Sequence, residues 1–202
     1  MLNRVYNKLT REFRNFAVYR ERIYTPKKFD RPKNLLEVKT AWNGLELIIG
    51  DILEFTGIKT KSCLEFGVEY GLSTSAFSNY FDEVTGVDIF TGDEHTGTYE
   101  SIYEQVKESL MSFPNVSLIE SDYRDFIKEP PQDFYDLIHV DIIHTYEATY
   151  DCGLWSARHS DVTLFHDTES FPEVKRSVAD IAKATNKKFY NYPKHYGLGI
   201  VV

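Results

Sequence analysis

Cysteine is scarce in this 202-residue sequence, with only Cys63 and Cys152. That excludes a disulfide framework, and the spacing of the two fits no zinc pattern. Long apolar runs are missing too. Nothing approaches the roughly 18 residues of a membrane-spanning helix, so none is expected. The opening residues, MLNRVYNKLTREFRNF, lack the continuous apolar core of a secretory signal. The expected location is therefore cytoplasmic. An excess of positive charge is absent as well. The net charge is −8, which argues against general nucleic-acid binding. No internal repeat or low-complexity stretch interrupts the chain.

What is present suits an ordered globular protein: 42% hydrophobic and 15% aromatic residues, enough for a substantial core without staples. The length fits one domain with a terminal extension. Charge is unevenly spread. Residues 1–40 hold eleven Lys and Arg against four Asp and Glu, a local +7 that leaves −15 on the remainder. Such an arm can be a solvated helix and tail, dock on the acidic body, or bind an acidic partner or substrate.

Apolar spacing predicts an amphipathic helix over 3–24, then an irregular stretch marked by Pro26 and Pro32, then a helix over 34–54 ended by Gly57. From there strand and helix alternate. SCLEFG, VTGVDIF, NVSLIES, YDLIHVDI and DVTLFHD read as strands. LSTSAFSNYF, residues 99–112, YRDFIKE, YEATYDCGLWSARH and PEVKRSVADIAKAT read as helices. KFYNY and GLGIVV close the chain as two more strands. Alternation of this kind gives a doubly wound α/β fold with a mostly parallel sheet of seven strands. The last connection is too short for a parallel crossover, so one C-terminal strand must be antiparallel. Residues 1–57 are expected as an N-terminal helical extension and 58–202 as the ligand-binding domain.

In such a sheet ligands sit at the carboxyl ends of the strands. The first strand–helix turn holds Gly67 and Gly71, which allow a tight turn and close backbone approach. The GxGxxG spacing of a dinucleotide site is lacking, and Glu65 and Glu69 stand nearby. Two carboxylates would repel a diphosphate. A ligand with no phosphate and a positive centre avoids that cost, and S-adenosylmethionine is one. The stretch Glu65-Phe-Gly67-Val-Glu-Tyr-Gly71-Leu-Ser73 resembles the first motif of class I S-adenosylmethionine-dependent methyltransferases, which have a Rossmann-like fold. The resemblance implies that Glu65, Gly67, Gly71 and Ser73 line the cofactor. It implies that Asp88, at the end of VTGVDIF, holds the ribose hydroxyls. Asp122 and Tyr123, in IESDYRDF, would lie near the adenine. Asp88 and Asp122 can equally be turn or cap residues.

A second cluster follows. Asp141 ends one apolar strand, and His166 and Asp167 end the next, so adjacent strand ends bring them close. Two carboxylates and an imidazole suit a divalent cation such as Mg²⁺. Asp141, His144, Tyr146, Glu147, Asp151, Trp155, His166 and Asp167 together resemble the pattern of small metal-dependent O-methyltransferases of the macrolide-sugar and cephalosporin type. That resemblance implies a small hydroxylated acceptor, a sugar among the options. A cation would lower the pKa of its hydroxyl. His144, on the loop after Asp141, is the candidate base, and Asp141 shares the catalytic role. Trp155 and His139 read better as core residues, and Glu69 as solvent-facing.

Three other readings remain open: a nicotinamide dehydrogenase, a non-catalytic S-adenosylmethionine-binding protein of the same fold, and a metal-dependent hydrolase built on Asp141, His166 and Asp167. By analogy with the family, the N-terminal segment can serve as a lid or as the arm of a homodimer.

Overall fold

A computed structural model describes residues 21–91 and 100–202. Its elements are β1 (Arg22–Ile23), α1 (Ile49–Thr56), β2 (Ser62–Phe66), α2 (Leu72–Phe77), β3 (Glu83–Asp88), α3 (Tyr103–Ser109), β4 (Val116–Glu120), α4 (Tyr123–Phe126), β5 (Tyr135–Val140), α5 (Tyr146–Arg158), β6 (Ser160–His166), α6 (Pro172–Thr185), β7 (Phe189–Tyr192) and β8 (Leu198–Val201). Short 3-10 turns at Glu46–Ile48 and Leu110–Ser112 adjoin α1 and α3.

The strands form one sheet in the order β1-β7-β8-β6-β5-β2-β3-β4. The seven expected strands are all present, and β1 adds an eighth at the edge. Among the described residues only β8 runs antiparallel, against both β6 and β7. The central strands β2, β5 and β6 are buried along nearly their whole length. That is the pattern of a parallel sheet covered on both faces.

Each face has its own core. On one side Trp42, Leu45, Ile48, Ile49 and Ile52 pack with Leu72 and Phe77 of α2. On the other, Tyr123, Phe126, Cys152, Val178 and Ile181 from α4, α5 and α6 pack against Leu64, Ile138 and Phe165. Local signals explain the helix ends. Thr145 caps α5 by accepting from the Ala148 N–H at 3.3 Å. Pro172 opens α6, and Asn186 closes it in the left-handed region.

The N-terminal region departs from expectation. The helix expected over 3–24 lies outside the described residues as far as residue 20, and Arg22–Ile23, at its end, are strand. The helix expected over 34–54 is mostly irregular, and α1 begins only at Ile49. A tight turn at Thr40–Asn43 and Gly44 at φ +101° break it. Leu35, Val38, Trp42 and Leu45 still pack into the core. Burial is achieved there without helical periodicity, a case of tertiary packing overriding a spacing signal. Residue 99 of the expected 99–112 helix is also outside the described residues, and the regular helix spans Tyr103–Ser109.

Candidate active site

The first half of the site is made of backbone. Gly67 has φ +88° and Gly71 φ +82°. A Cβ on Gly67 would run into the carbonyl oxygen of Asp141, so both its conformation and its space require glycine. Asp88 ends β3 and faces this turn. Its Oδ2 accepts from the Val68 N–H at 2.7 Å and the Glu69 N–H at 3.0 Å, and its Oδ1 from the Phe90 N–H at 2.8 Å. Each carboxylate oxygen can accept more than one bond, so Oδ1 keeps capacity toward an incoming hydroxyl. Glu69 is exposed and has φ +50°. Although the residue as a whole is exposed, partial desolvation of its carboxyl, with Asp141 and Asp88 nearby, pushes its pKa up.

Glu65 lies beneath the turn and has no exposed surface. Its Oε2 accepts from the Thr74 hydroxyl, and its Oε1 lies 2.8 Å from His139 Nδ1. His139 Nε2 faces the Trp42 indole N–H at 3.3 Å. The indole can only donate, so Nε2 is an acceptor and the His139 proton sits on Nδ1, directed at Glu65. This buried brace joins α2, β2, β5 and the N-terminal region. Trp42 and Glu65 are too far apart in sequence for any local pattern to reveal it. Ser73 is buried in α2. Asp122 caps α4, accepting from the Arg124 N–H at 2.7 Å. Tyr123 is buried in the core, with the Arg124 guanidinium 4.9 Å from its ring centre.

The second half is made of side chains. Val140 pairs with Phe165, so Asp141 and His166 emerge side by side from β5 and β6. Four groups form a ring of alternating carboxylate and imidazole. His166 Nδ1 is 3.0 Å from Asp141 Oδ2 and 3.4 Å from Asp167 Oδ2. His144 Nε2 is 2.9 Å from Asp167 Oδ2 and 3.6 Å from Asp141 Oδ1. Ligand atoms of Asp141, His144 and Asp167 all lie within 4.8 Å of one another. The His144 ring stacks on Phe171 at 4.2 Å and 6°. Asp167 has φ +62°, a strained backbone for an aspartate.

The electrostatics follow from this geometry. Burial disfavours charge on His144, but the Asp141 and Asp167 carboxylates win and raise its pKa to about 9. His166 is raised against its burial by the same two groups. Burial alone would raise Asp141. The two imidazoles overcome it and hold the carboxyl well below its usual range. A small cleft opens over these residues, with Ile142, Thr149 and Val174 in its walls.

Other residues of the second pattern stay outside the ring. Glu147 and Asp151 are exposed on α5. The Tyr146 hydroxyl donates to Asp180 of α6 at 3.0 Å. Trp155 packs edge-on to Phe66 and Phe126. Phe171 carried no sequence signal, being one of fourteen phenylalanines.

A family profile described as "Methyltransferase domain" matches residues 64–168, a span that holds both halves of the site. No protein of curated function matches the sequence. Solved structures share the fold. One assigned as a caffeoyl-CoA O-methyltransferase from Staphylococcus aureus aligns at TM-score 0.61 and 14% identity, covering 83% of this chain and 85% of that one. The S-adenosylmethionine-bound amino pentose methyltransferase CalS10 from Micromonospora echinaspora aligns at 0.60 and 11%, covering 81% and 91%. The O-methyltransferase TomG from Streptomyces achromogenes, solved with S-adenosylmethionine, aligns at 0.56 and 13%, covering 75% of each chain. Glycine turn, strand-end acid, profile match and sheet order agree: the chain belongs to the methyltransferase-domain family, on the class I S-adenosylmethionine-dependent fold.

Proposed function

We propose that this protein transfers a methyl group from S-adenosylmethionine to a hydroxyl of a small acceptor, a sugar among the candidate classes, with a divalent cation at the Asp141–Asp167 pair. The observation that carries the reading is the ring of Asp141, His144, His166 and Asp167 beside a glycine turn lined by carboxylates.

The residues fit both groups. Gly67 and Gly71 let the turn take its left-handed backbone, and Asp88 offers its remaining acceptor capacity to ribose hydroxyls. Negative charge at Glu69, Asp88 and Asp141 suits the cationic donor and opposes a diphosphate. The Asp141 and Asp167 carboxylates, with an imidazole of His144 or His166 beside them, supply the oxygen and nitrogen donors that a divalent ion takes. Such an ion, when bound, acidifies and orients a hydroxyl.

His144 and His166 both line the cleft. The His166 side chain is almost wholly buried in β6, whereas His144 stands on the loop after β5 and is 18% exposed, although its ring nitrogens are buried. His144, on the loop rather than in a strand, is the candidate base. Its high pKa comes from the two carboxylates, so neutralising their charge frees its Nε2 to accept. Phe171 fixes the plane of the ring. Holding the acceptor oxygen in line with the methyl carbon then supplies much of the rate.

The test is transfer of label from methyl-labelled S-adenosylmethionine to a panel of sugars and phenols, with Mg²⁺ and with EDTA. The proposal expects an ether product that disappears in EDTA and returns with Mg²⁺. Transfer that persists undiminished in EDTA contradicts the cation's role. Label on nitrogen or carbon only contradicts the acceptor class.

A further inference from the structure

Asn191 of β7 has no exposed surface, yet its amide bonds three residues from two other segments of chain. Its Oδ1 accepts from the Thr168 hydroxyl at 2.7 Å. Its Nδ2 donates to Glu169 Oε1 at 2.6 Å and to Glu21 Oε1 at 3.0 Å. The orientation of the amide is settled by chemistry, because the two carboxylates can only accept. Lys175 of α6 completes the group, 2.6 Å from Glu169 Oε1 and 3.0 Å from Glu21 Oε2. One lysine cannot compensate two glutamates, so the amide donor is needed to hold them together.

This network grips the residues that follow Asp167. The Ser170 and Phe171 amides donate to the Asp167 carbonyl at 3.2 and 3.0 Å, closing a turn on its left-handed backbone. The Glu169 amide donates to the Tyr196 carbonyl at 2.8 Å. Gly197 lies so close that a Cβ would collide with Glu169 N and Thr168 Oγ1, so the β7–β8 loop presses on the same turn. A strained backbone persists only where its surroundings over-determine it. Here Asn191 provides the central anchor, one residue beyond the side chain it controls.

We propose that Asn191 is a positioning residue for the reaction: its buried amide clamps the Thr168–Glu169 turn, fixes the Asp167 carboxylate, and through Glu21 ties that carboxylate to the segment ahead of β1. The inference rests on the reading of Asp167 as a site carboxylate given above. The amide touches neither donor nor acceptor. It acts through the turn, in the way that outer hydrogen bonds orient a ligating carboxylate.

The experiment compares full-length wild type with Asn191→Leu, Asn191→Asp and the double variant Asn191→Asp/Glu169→Gln. Backbone hydrogen exchange is read at Ser170 and Phe171, and at Gly67 as the control. Mn²⁺ affinity by electron paramagnetic resonance and S-adenosylmethionine affinity by calorimetry accompany it. In Asn191→Leu and Asn191→Asp the Ser170 and Phe171 amides should exchange about tenfold faster and Mn²⁺ affinity should fall about tenfold. Gly67 exchange and S-adenosylmethionine affinity should not change. The double variant restores a donor between positions 191 and 169 and should recover part of the protection. Wild-type exchange at Ser170 and Phe171 in either single variant would overturn the proposal. So would loosening of Gly67 by the same factor, which marks general destabilisation. Should Asn191→Leu not fold, the Asn191→Asp pair decides. If the wild type binds no Mn²⁺, the cation reading of the function fails while the exchange result still judges the clamp.

Discussion

The two halves of the site are built in opposite ways. Around Gly67 and Asp88, a carboxylate is satisfied by three backbone N–H groups, and its charge needs no side-chain partner. Around Asp141 and Asp167, carboxylates are satisfied by two imidazoles, and the charges of Asp141, His144 and His166 depend on their neighbours. The first arrangement is fixed by the chain path. The second, on the proposed reading, would exchange protons for a cation. A donor site and an acceptor-activating site call for those two behaviours respectively.

The sharpest way to break the distinction is Gly67→Ala, because Gly67 is where the halves touch. A methyl there meets the Asp141 carbonyl and forces a left-handed alanine. Stability should fall by about 3 kcal/mol or more, read by urea denaturation. Donor and cation affinities should fall together. Unchanged cation affinity would mean that Asp141 does not lean on the turn.

His144→Gln should separate the halves. The turnover rate should drop by about 10²- to 10⁴-fold, as for loss of a general base. S-adenosylmethionine affinity should stay as in wild type. A matching loss of Mg²⁺ affinity would instead make His144 a ligand.

A pH effect of smaller size comes from the second half alone. In EDTA-treated protein the folded pKa of His144 is raised from 6.5 to about 9. Its contribution is therefore whole below about pH 6.5 and is lost as pH rises through 9. Melting temperature should decline across that window, and His144→Gln should flatten the decline. An equal decline in the variant would assign it elsewhere.

The smallest effect is expected at Asp122→Ala. Loss of the α4 cap should cost about 1 kcal/mol and leave donor affinity almost untouched. A large loss of affinity would give Asp122 the adenine role that its family position implies.

Most of the fold from Ser62 onward was legible in the sequence, because continuous apolar strands such as YDLIHV and amphipathic helices such as PEVKRSVADIAKAT are local patterns. The glycine turn and the strand-end acids were legible for the same reason: their positions follow from where strands stop. Residues 34–54 misled because Trp42 and Leu45 are buried, and Leu35 and Val38 partly covered, by contacts from elsewhere, not by helical repetition. β1 gave no signal, since two residues become a strand only by pairing with β7. The Trp42–His139–Glu65 brace and the Asn191 clamp were invisible because their partners are up to 170 residues apart. Asp122 shows a limit of another kind. One short acid suits a cap and a ligand site equally, and in this structure it caps.

The central claim is that the backbone-built half binds S-adenosylmethionine without help from the cation half. Calorimetric titration of the folded protein with S-adenosylmethionine, in Mg²⁺ and again in EDTA, tests it most directly, with Asp88→Ala as control. The account predicts binding near −8 kcal/mol, a Kd of about 1 μM, equal in both buffers and lost in the control. No heat from folded protein in either buffer, or binding that requires Mg²⁺, would contradict it.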